Sequence, residues 1–353
     1  MDLNNIIFAI LLLIFGYFLN QKILEIFNKS KTNTLSDNQF KKPQAFHALS
    51  TYRLGGLTIF IMMVLIFLYL FFYKKIFFLE FISFCTFFFL LGFVDDLKIN
   101  IKPKFRLFIM ICFLLFLISF NELKIDRISL EYLDNLMKID IFALFFLCIC
   151  FLFIVNGSNL IDGFNGLLSI HALIILAVLF FVNFLNENYN LAYVLFYISL
   201  SIMIFIKFNF PKAQIFLGDG GAYLLGTTIS ISVIMTNNLN PSISSFFFCI
   251  LLFYLFFEVF FSFFRKIFYV GQNPLLPDRN HLHMLLYKFL TKKNKKKTDV
   301  NYKVSVYINS IYVLLIIPSL AFINNGLLSR CYFFCLLIIY IYVYRTLDKK
   351  LNR

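Results

Sequence analysis

The sequence predicts an all-α polytopic integral membrane protein, on three observations. Hydrophobic residues make up 61% of the 353 positions and the mean hydropathy is +0.85, more than a soluble core of this size needs. Apolar runs of about 16 to 22 residues recur along the whole chain, the length that crosses a bilayer as a helix. Backbone groups in hydrocarbon must pair internally, so such runs imply helices, and the period-2 alternation of a membrane barrel is absent.

The first apolar run covers 4–20. It has neither the basic leader nor the small-residue cleavage site of a signal peptide, so it is expected to stay as a helix. A polar loop follows with Lys22, Lys29, Lys31, Lys41, Lys42 and Arg53. Further spans are predicted at 55–73, 76–94, 105–120, 140–155, 167–185, 191–207, 221–236, 243–264, 303–323 and 327–344, about eleven in all. Residues 121–140, mixed in charge, form the main excursion on the other side. No separate soluble domain and no internal repeat is evident, so residues 1–353 read as one transmembrane catalytic domain. The seven cysteines lie mostly within apolar runs, without ligand partners nearby, and read as packed thiols.

Orientation follows from Lys and Arg, which favour cytoplasmic loops. With the N-terminus outside and the C-terminus cytoplasmic, 26 of the 32 basic residues fall inside and 6 outside. The cytoplasmic loops are then 21–54, 95–106, 156–166, 207–220 and 265–303, and every conspicuous polar motif lands on them. These loops therefore share one expected face of the membrane, the cytoplasmic one. A transporter would instead carry ionisable groups along its spans near the midplane.

Each motif has a chemical reading. Asp95 and Asp96 are adjacent acids at a span end, where mutual repulsion and the helix dipole disfavour them unless a cation or phosphate chemistry uses them. Lys102, Lys104 and Arg106 follow directly, either as membrane anchors or as cations for phosphates. In the polar stretch 156–167, Asp162 is an oxygen ligand or base, and Asn156 and Asn159 supply amides. Asn159 and Asp162 are three residues apart, so one helical turn aims both the same way. Asp219, between glycines, is a hard-cation ligand type or else a helix N-cap, and Phe216 offers a stacking face for a base. His281 and His283 cannot share one helix side and make a weak zinc pair; beside Arg279 they fit a pyrophosphate better. Arg265 precedes that motif. His171 reads as a packed polar residue, and Glu258, deep in an apolar run, has no assigned role.

Together these motifs resemble the polyprenyl-phosphate N-acetylhexosamine-1-phosphate transferases, glycosyltransferase family 4. The matching elements are Arg53-Leu-Gly-Gly, Asp95-Asp96, Asn156-x-x-Asn159-x-x-Asp162-Gly-x-Asn165-Gly-Leu, Phe216-Leu-Gly-Asp219-Gly-Gly and Pro-Asp278-Arg279-Asn-His281-Leu-His283, in the family's order across roughly residues 45–285. The resemblance implies transfer of a sugar 1-phosphate from a UDP-sugar to polyprenyl (undecaprenyl) phosphate, with Mg²⁺ (or Mn²⁺) as cofactor and UMP released. It implies a membrane-lipid setting, no nucleic-acid partner, and room for a homodimer. By the same resemblance, Asp95 and Asp96 meet the acceptor phosphate, Asp162 and Asn159 sit centrally, and Asp219 holds the metal. Asn209 and Phe216 take the nucleoside, and Arg279, His281 and His283 take the donor diphosphate or sugar. The Pro-Asp-Arg-x-His-Leu-His form looks like the undecaprenyl-phosphate N-acetylglucosamine-1-phosphate transferase branch, which initiates cell-surface polysaccharides such as O-antigen. The alternatives are the phospho-N-acetylmuramoyl-pentapeptide branch and a non-catalytic membrane scaffold. Asn165 stands where the family often has a second Asp, and Met284 where a third His often follows.

Overall fold

The computed structural model describes residues 3–30, 35–37, 51–99, 101–271, 279–293 and 300–351. Lys31, Lys41, Lys42, Asp278 and Lys295–Lys297, although part of the sequence argument, lie outside the described residues.

The helices follow the apolar runs. They are α1 (Leu3–Ser30), α2 (Gly55–Tyr69), α3 (Leu79–Asp96), α4 (Pro103–Phe120), α5 (Glu131–Leu136), α6 (Asp140–Ile161) and α7 (Leu167–Leu185). After them come α8 (Tyr189–Asn209), α9 (Gly218–Leu239), α10 (Ser245–Leu251), α11 (Phe253–Arg265), α12 (Leu282–Lys293), α13 (Val300–Leu320) and α14 (Gly326–Leu351). Helix ends carry local causes. Pro103 opens α4, where its missing N–H costs nothing, and the Ser244 hydroxyl accepts from Phe246 N at the head of α10.

Among the described residues, eight helices are long and apolar enough to cross a membrane. A ninth span arises if α10 and α11, bent by 72° around Leu252, count as one. The predicted run 243–264 is therefore broken rather than continuous. Two of the predicted spans fall outside this set. One is α3, which carries Glu80, Asp95 and Asp96, and the other is α9, which is rich in Gly, Ser and Thr. Exposed Ile, Leu and Phe side chains on α1, α4 and α14 form a rim that would demand cover in water and that lipid covers in a bilayer.

α9 is the centre of the bundle, packed against α2, α3, α6 and α7. Eighteen of its residues are buried although many are polar. Four of its hydroxyls bond back to the helix itself: Thr228 to Leu224 O at 2.8 Å, Ser230 to Gly226 O at 2.9 Å, and Ser232 and Thr236 each 2.6 Å from the carbonyl four residues back. Small side chains then let neighbouring backbones approach, with Gly56 against Gly221 and Gly92 against Gly220.

The structure is consistent with an all-α polytopic membrane protein, with one small addition to the helices. A three-stranded sheet, β1 (Ser36–Asp37), β2 (Thr51–Arg53) and β3 (Ile215–Phe216), sits beside the head of α9. β1 and β2 pair antiparallel, while β2 and β3 pair parallel with Arg53 opposite Phe216. Runs of two or three residues carry too little periodicity to be seen in the sequence. The sheet nonetheless brings Arg53, distant in the chain, to the start of α9.

Candidate active site

The site is assembled at the head of α9. Gly218 adopts φ +80°, and a Cβ there would lie 2.6 Å from Asp96 Oδ2, so only glycine lets the chain turn this closely. Asp96, the last residue of α3, accepts hydrogen bonds from Asp219 N (2.9 Å, Oδ1) and Gly220 N (2.8 Å, Oδ2). A carboxylate placed on the first amides of a helix is favoured by both the orphan donors and the dipole. Arg53 Nη1 stands 3.6 Å from the same Oδ1. Asp96 is thus placed to hold the head of α9 and Arg53 together.

Its neighbour points elsewhere. Asp95 forms an ion pair with Arg106 in the first turns of α4, and the Arg106 guanidinium also lies 5.8 Å from the ring centre of Tyr223. Of Lys102, Lys104 and Arg106, it is Arg106 that pairs with Asp95; Lys104 is exposed nearer the start of α4. Tyr223 is a residue that the sequence reading misses. It lies four residues after Asp219, hence on the same face of α9, and its hydroxyl takes Asn159 Nδ2 at 3.5 Å. That spacing is the available signal.

The polar stretch 156–166 is mostly helix. α6 runs to Ile161, so Asn156 and Asn159 are helical, and the loop shrinks to Asp162–Gly166. Asn156 Nδ2 bonds back to Leu152 O at 2.8 Å, a contact within its own helix. The loop is fastened by amides. Asn165 N donates to Asn301 Oδ1 (2.8 Å), Asn165 Nδ2 to Pro211 O (2.9 Å), and Gly166 N to Asn209 Oδ1 (2.6 Å). Asn209 Nδ2 also donates to Ile215 O at 2.9 Å. Buried Asn209 is therefore bound to main chain on both ends. The bond to Pro211 explains Asn165, because an Asp carboxylate there has no proton to donate.

What remains open is a pair of carboxylates. Asp162, past the end of α6, is pushed up to about 7, first by burial and then by the charge of Asp219, with Arg53 opposing. Among the described residues, neither the Asp162 nor the Asp219 carboxylate takes a hydrogen bond. Partly buried acids close enough to repel, without protein donors, are the donor set of a hard cation or of a group that carries its own protons. No cluster of three His, Cys, Asp or Glu able to cage a metal occurs among the described residues. That suits Mg²⁺, which takes one or two carboxylates and fills its shell with water and phosphate oxygens.

The remaining residues divide. Phe216, on β3, is partly buried three residues before Asp219. Arg279 is exposed ahead of α12. Arg265 is buried, bonded to Ser262 at 3.5 Å with its guanidinium 6.0 Å from the Tyr344 ring. His281 and His283, expected on a diphosphate, are 4% and 0% exposed and turn toward α11. There His281 Nδ1 meets Glu258 Oε2 at 3.2 Å, and His283 Nδ1 meets the Tyr254 hydroxyl at 3.3 Å. Glu258, unassigned from sequence, is their anchor. His171 packs as expected, with Nδ1 3.1 Å from Asn309 Oδ1.

The profile described as glycosyl transferase family 4 matches residues 78–237. The chain is 31% identical over 244 residues to the phospho-N-acetylmuramoyl-pentapeptide-transferase of Dictyoglomus thermophilum, covering 66% of this chain and 74% of that one. It is 30% identical over 194 residues to the undecaprenyl-phosphate alpha-N-acetylglucosaminyl 1-phosphate transferase of Thermotoga maritima, 55% of each chain and so about half of that relative's length. A longer match, 27% identical over 339 residues, covers 88% of this chain and 92% of a phospho-N-acetylmuramoyl-pentapeptide-transferase of Prochlorococcus marinus. With its motifs gathered at the head of α9 and these similarities alongside, the chain belongs to glycosyl transferase family 4.

Proposed function

We propose that this chain transfers a sugar 1-phosphate, an N-acetylhexosamine 1-phosphate, from a UDP-sugar to undecaprenyl phosphate. An oxygen of the acceptor phosphate attacks the phosphorus bearing the sugar, a new P–O bond forms, and the bond to UMP breaks. The product is a lipid-linked diphosphate sugar on which a cell-surface polysaccharide is built. The observation that carries this reading is the Asp162–Asp219 pair, which takes no hydrogen bond among the described residues and lies between Arg53 and the Arg106–Tyr223 edge.

The chemistry asks for charge neutralisation and alignment rather than a protein nucleophile. A phosphate monoester has its second pKa near about 6, so the acceptor is largely ionised at neutral pH. Asp162 is suited to take a remaining proton from it or to act as second cation ligand. Asp219 is the principal ligand for Mg²⁺ or Mn²⁺, which would supply positive charge to the diphosphate oxygens. Arg53 and Arg106 hold phosphate charge from either side, and Asp96 keeps Asp219 and Arg53 in register. Phe216 would stack on the base and Arg279 would meet the diphosphate.

The basic-residue bias supports a cytoplasmic site on the bacterial inner membrane, with eleven spans, the N-terminus outside and the C-terminus inside. α3 and the small-residue α9 cross in this arrangement because neighbouring helices shield their polar groups. The longer matches to phospho-N-acetylmuramoyl-pentapeptide-transferases favour a second reading in which the donor is UDP-N-acetylmuramoyl-pentapeptide. One experiment covers both: purified protein with Mg²⁺, undecaprenyl phosphate and a panel of UDP-sugars that includes the pentapeptide donor. UMP release identifies the donor; no release with any of them sinks the proposal. Asp219→Ala should lose about 10²-fold or more in rate while still inserting in the membrane.

A further inference from the structure

Glu258 is a buried carboxylate for which the reaction just described has no use. It lies on α11, within the bundle, 1% exposed. A carboxylate in such a place is costly unless fully partnered. One short segment supplies three of its partners. Oε1 accepts the Leu282 amide at 3.1 Å, Oε2 meets His281 Nδ1 at 3.2 Å, and His283 Nδ1 is 3.9 Å from Oε1. The two imidazoles lie parallel, with planes 4° apart and centres 5.6 Å apart. Tyr254, one turn before Glu258 on α11, meets His283 Nδ1 at 3.3 Å, and Tyr340 of α14 also faces the carboxylate. The Tyr344 hydroxyl donates to Asn280 O at 2.9 Å, so α14 grips the residue before the histidines. The nearest cation along α11, Arg265, is two turns on and engaged with Ser262 and Tyr344.

We infer that Glu258 is a positioning residue for the transfer reaction, setting the tautomer and placement of His281 and with them the Arg279–His283 segment. A carboxylate only accepts, so the His281 Nδ1 must carry a proton toward it, and Nε2 becomes the basic nitrogen. The second oxygen on the Leu282 amide fixes the main chain at the same point. Side chain and backbone are thus held by one group, which is how carboxylates orient functional histidines elsewhere. The segment is tied to the cleft as well, because His283 packs edge-on against Phe164 at 5.8 Å, in the loop that carries Asp162. This inference rests on the proposed transferase reading.

The test uses the full chain, in the UMP-release assay with its preferred donor. Glu258→Gln keeps the size and can still accept from Leu282, but its amide donor opposes a protonated Nδ1. The rate should fall about tenfold or more, with the donor KM changed less than about threefold. Glu258→Asp, which keeps the charge, should recover a substantial part of the rate. A Gln variant as fast as wild type, or an Asp variant no better than Gln, overturns the inference while leaving the transferase reading intact. If Gln does not fold, the Asp variant decides: partial activity with the donor KM changed less than about threefold supports positioning, and loss of activity in a folded protein refutes it. Failure of the wild type to release UMP would instead overturn the reading beneath.

Discussion

Replacing Gly92 by alanine should separate catalysis from stability. A Cβ at Gly92 would stand 2.5 Å from Asp219 O, 2.6 Å from Asp219 C and 2.7 Å from Gly220 Cα. Carbon contacts settle at about 3.5 Å or more, so α3 and α9 must part by roughly 1 Å. Every atom in the way is backbone, and no rotamer change relieves it. Overpacking of this kind costs about 1–3 kcal/mol, against which alanine regains about 1 kcal/mol of helix propensity. Stability should therefore fall by no more than roughly 2 kcal/mol. The site is more sensitive. Asp96 holds Asp219 N and Gly220 N at 2.9 and 2.8 Å across this same contact, and a displacement near 1 Å breaks both bonds. Misplacement on that scale can cost about 10²-fold in rate. The measurements are thermal unfolding in detergent and UMP release. Gly163→Ala is the control, since nothing lies within 4 Å of its added Cβ. A Gly92→Ala enzyme with wild-type rate would refute the close approach of α3 to α9 as the support of the site.

Two further variants test the electrostatics and the loop. Asp162 titrates near 7 in the folded chain against 3.8 in the unfolded one, so its contribution to stability is fully present below about pH 4 and is lost as pH rises through 7. With divalent ions chelated, Asp162→Asn should raise Tm at pH 8 more than at pH 5; an equal effect at both would contradict the burial and Asp219 repulsion assigned here. In the enzyme with Mg²⁺, the wild-type rate should fall on acidification through that range and the Asn variant should lack the limb. Asn209→Ala removes the acceptor of Gly166 N and the donor to Ile215 O, at a cost of about 1–3 kcal/mol for each orphaned buried group. It should lower Tm without a selective rise in donor KM; a raised KM at unchanged Tm would support a nucleoside-binding role.

Much of the chain is legible in the sequence because the bilayer makes hydropathy a strong signal. The span 167–185 coincides with α7 to the residue, and Arg53, Asp95, Asp96, Asp162 and Asp219 stand out because acids and cations beside apolar runs need a reason. Boundaries fail where the pattern carries no end signal: α6 continues through Asn156 and Asn159, and Asn156 is accommodated by bonding back one turn. The break at Leu252 is invisible for a similar reason, since an all-apolar run reads identically on either side of a bend.

The sequence by itself determined the class of molecule, the residues worth asking about and the family they resemble, because composition and motif order are one-dimensional properties. Only the tertiary structure could assign them partners. It gave Asp96 to the amides of α9, Asp95 to Arg106, Asn165 and Asn209 to the loop backbone, and the two histidines to Glu258. Many of those pairings join residues far apart in the chain, and a side chain's charge says nothing about which distant group will be folded against it. Asp162 and Asp219 stand out after folding because, among the described residues, Asp95 and Asp96 beside them had found their donors.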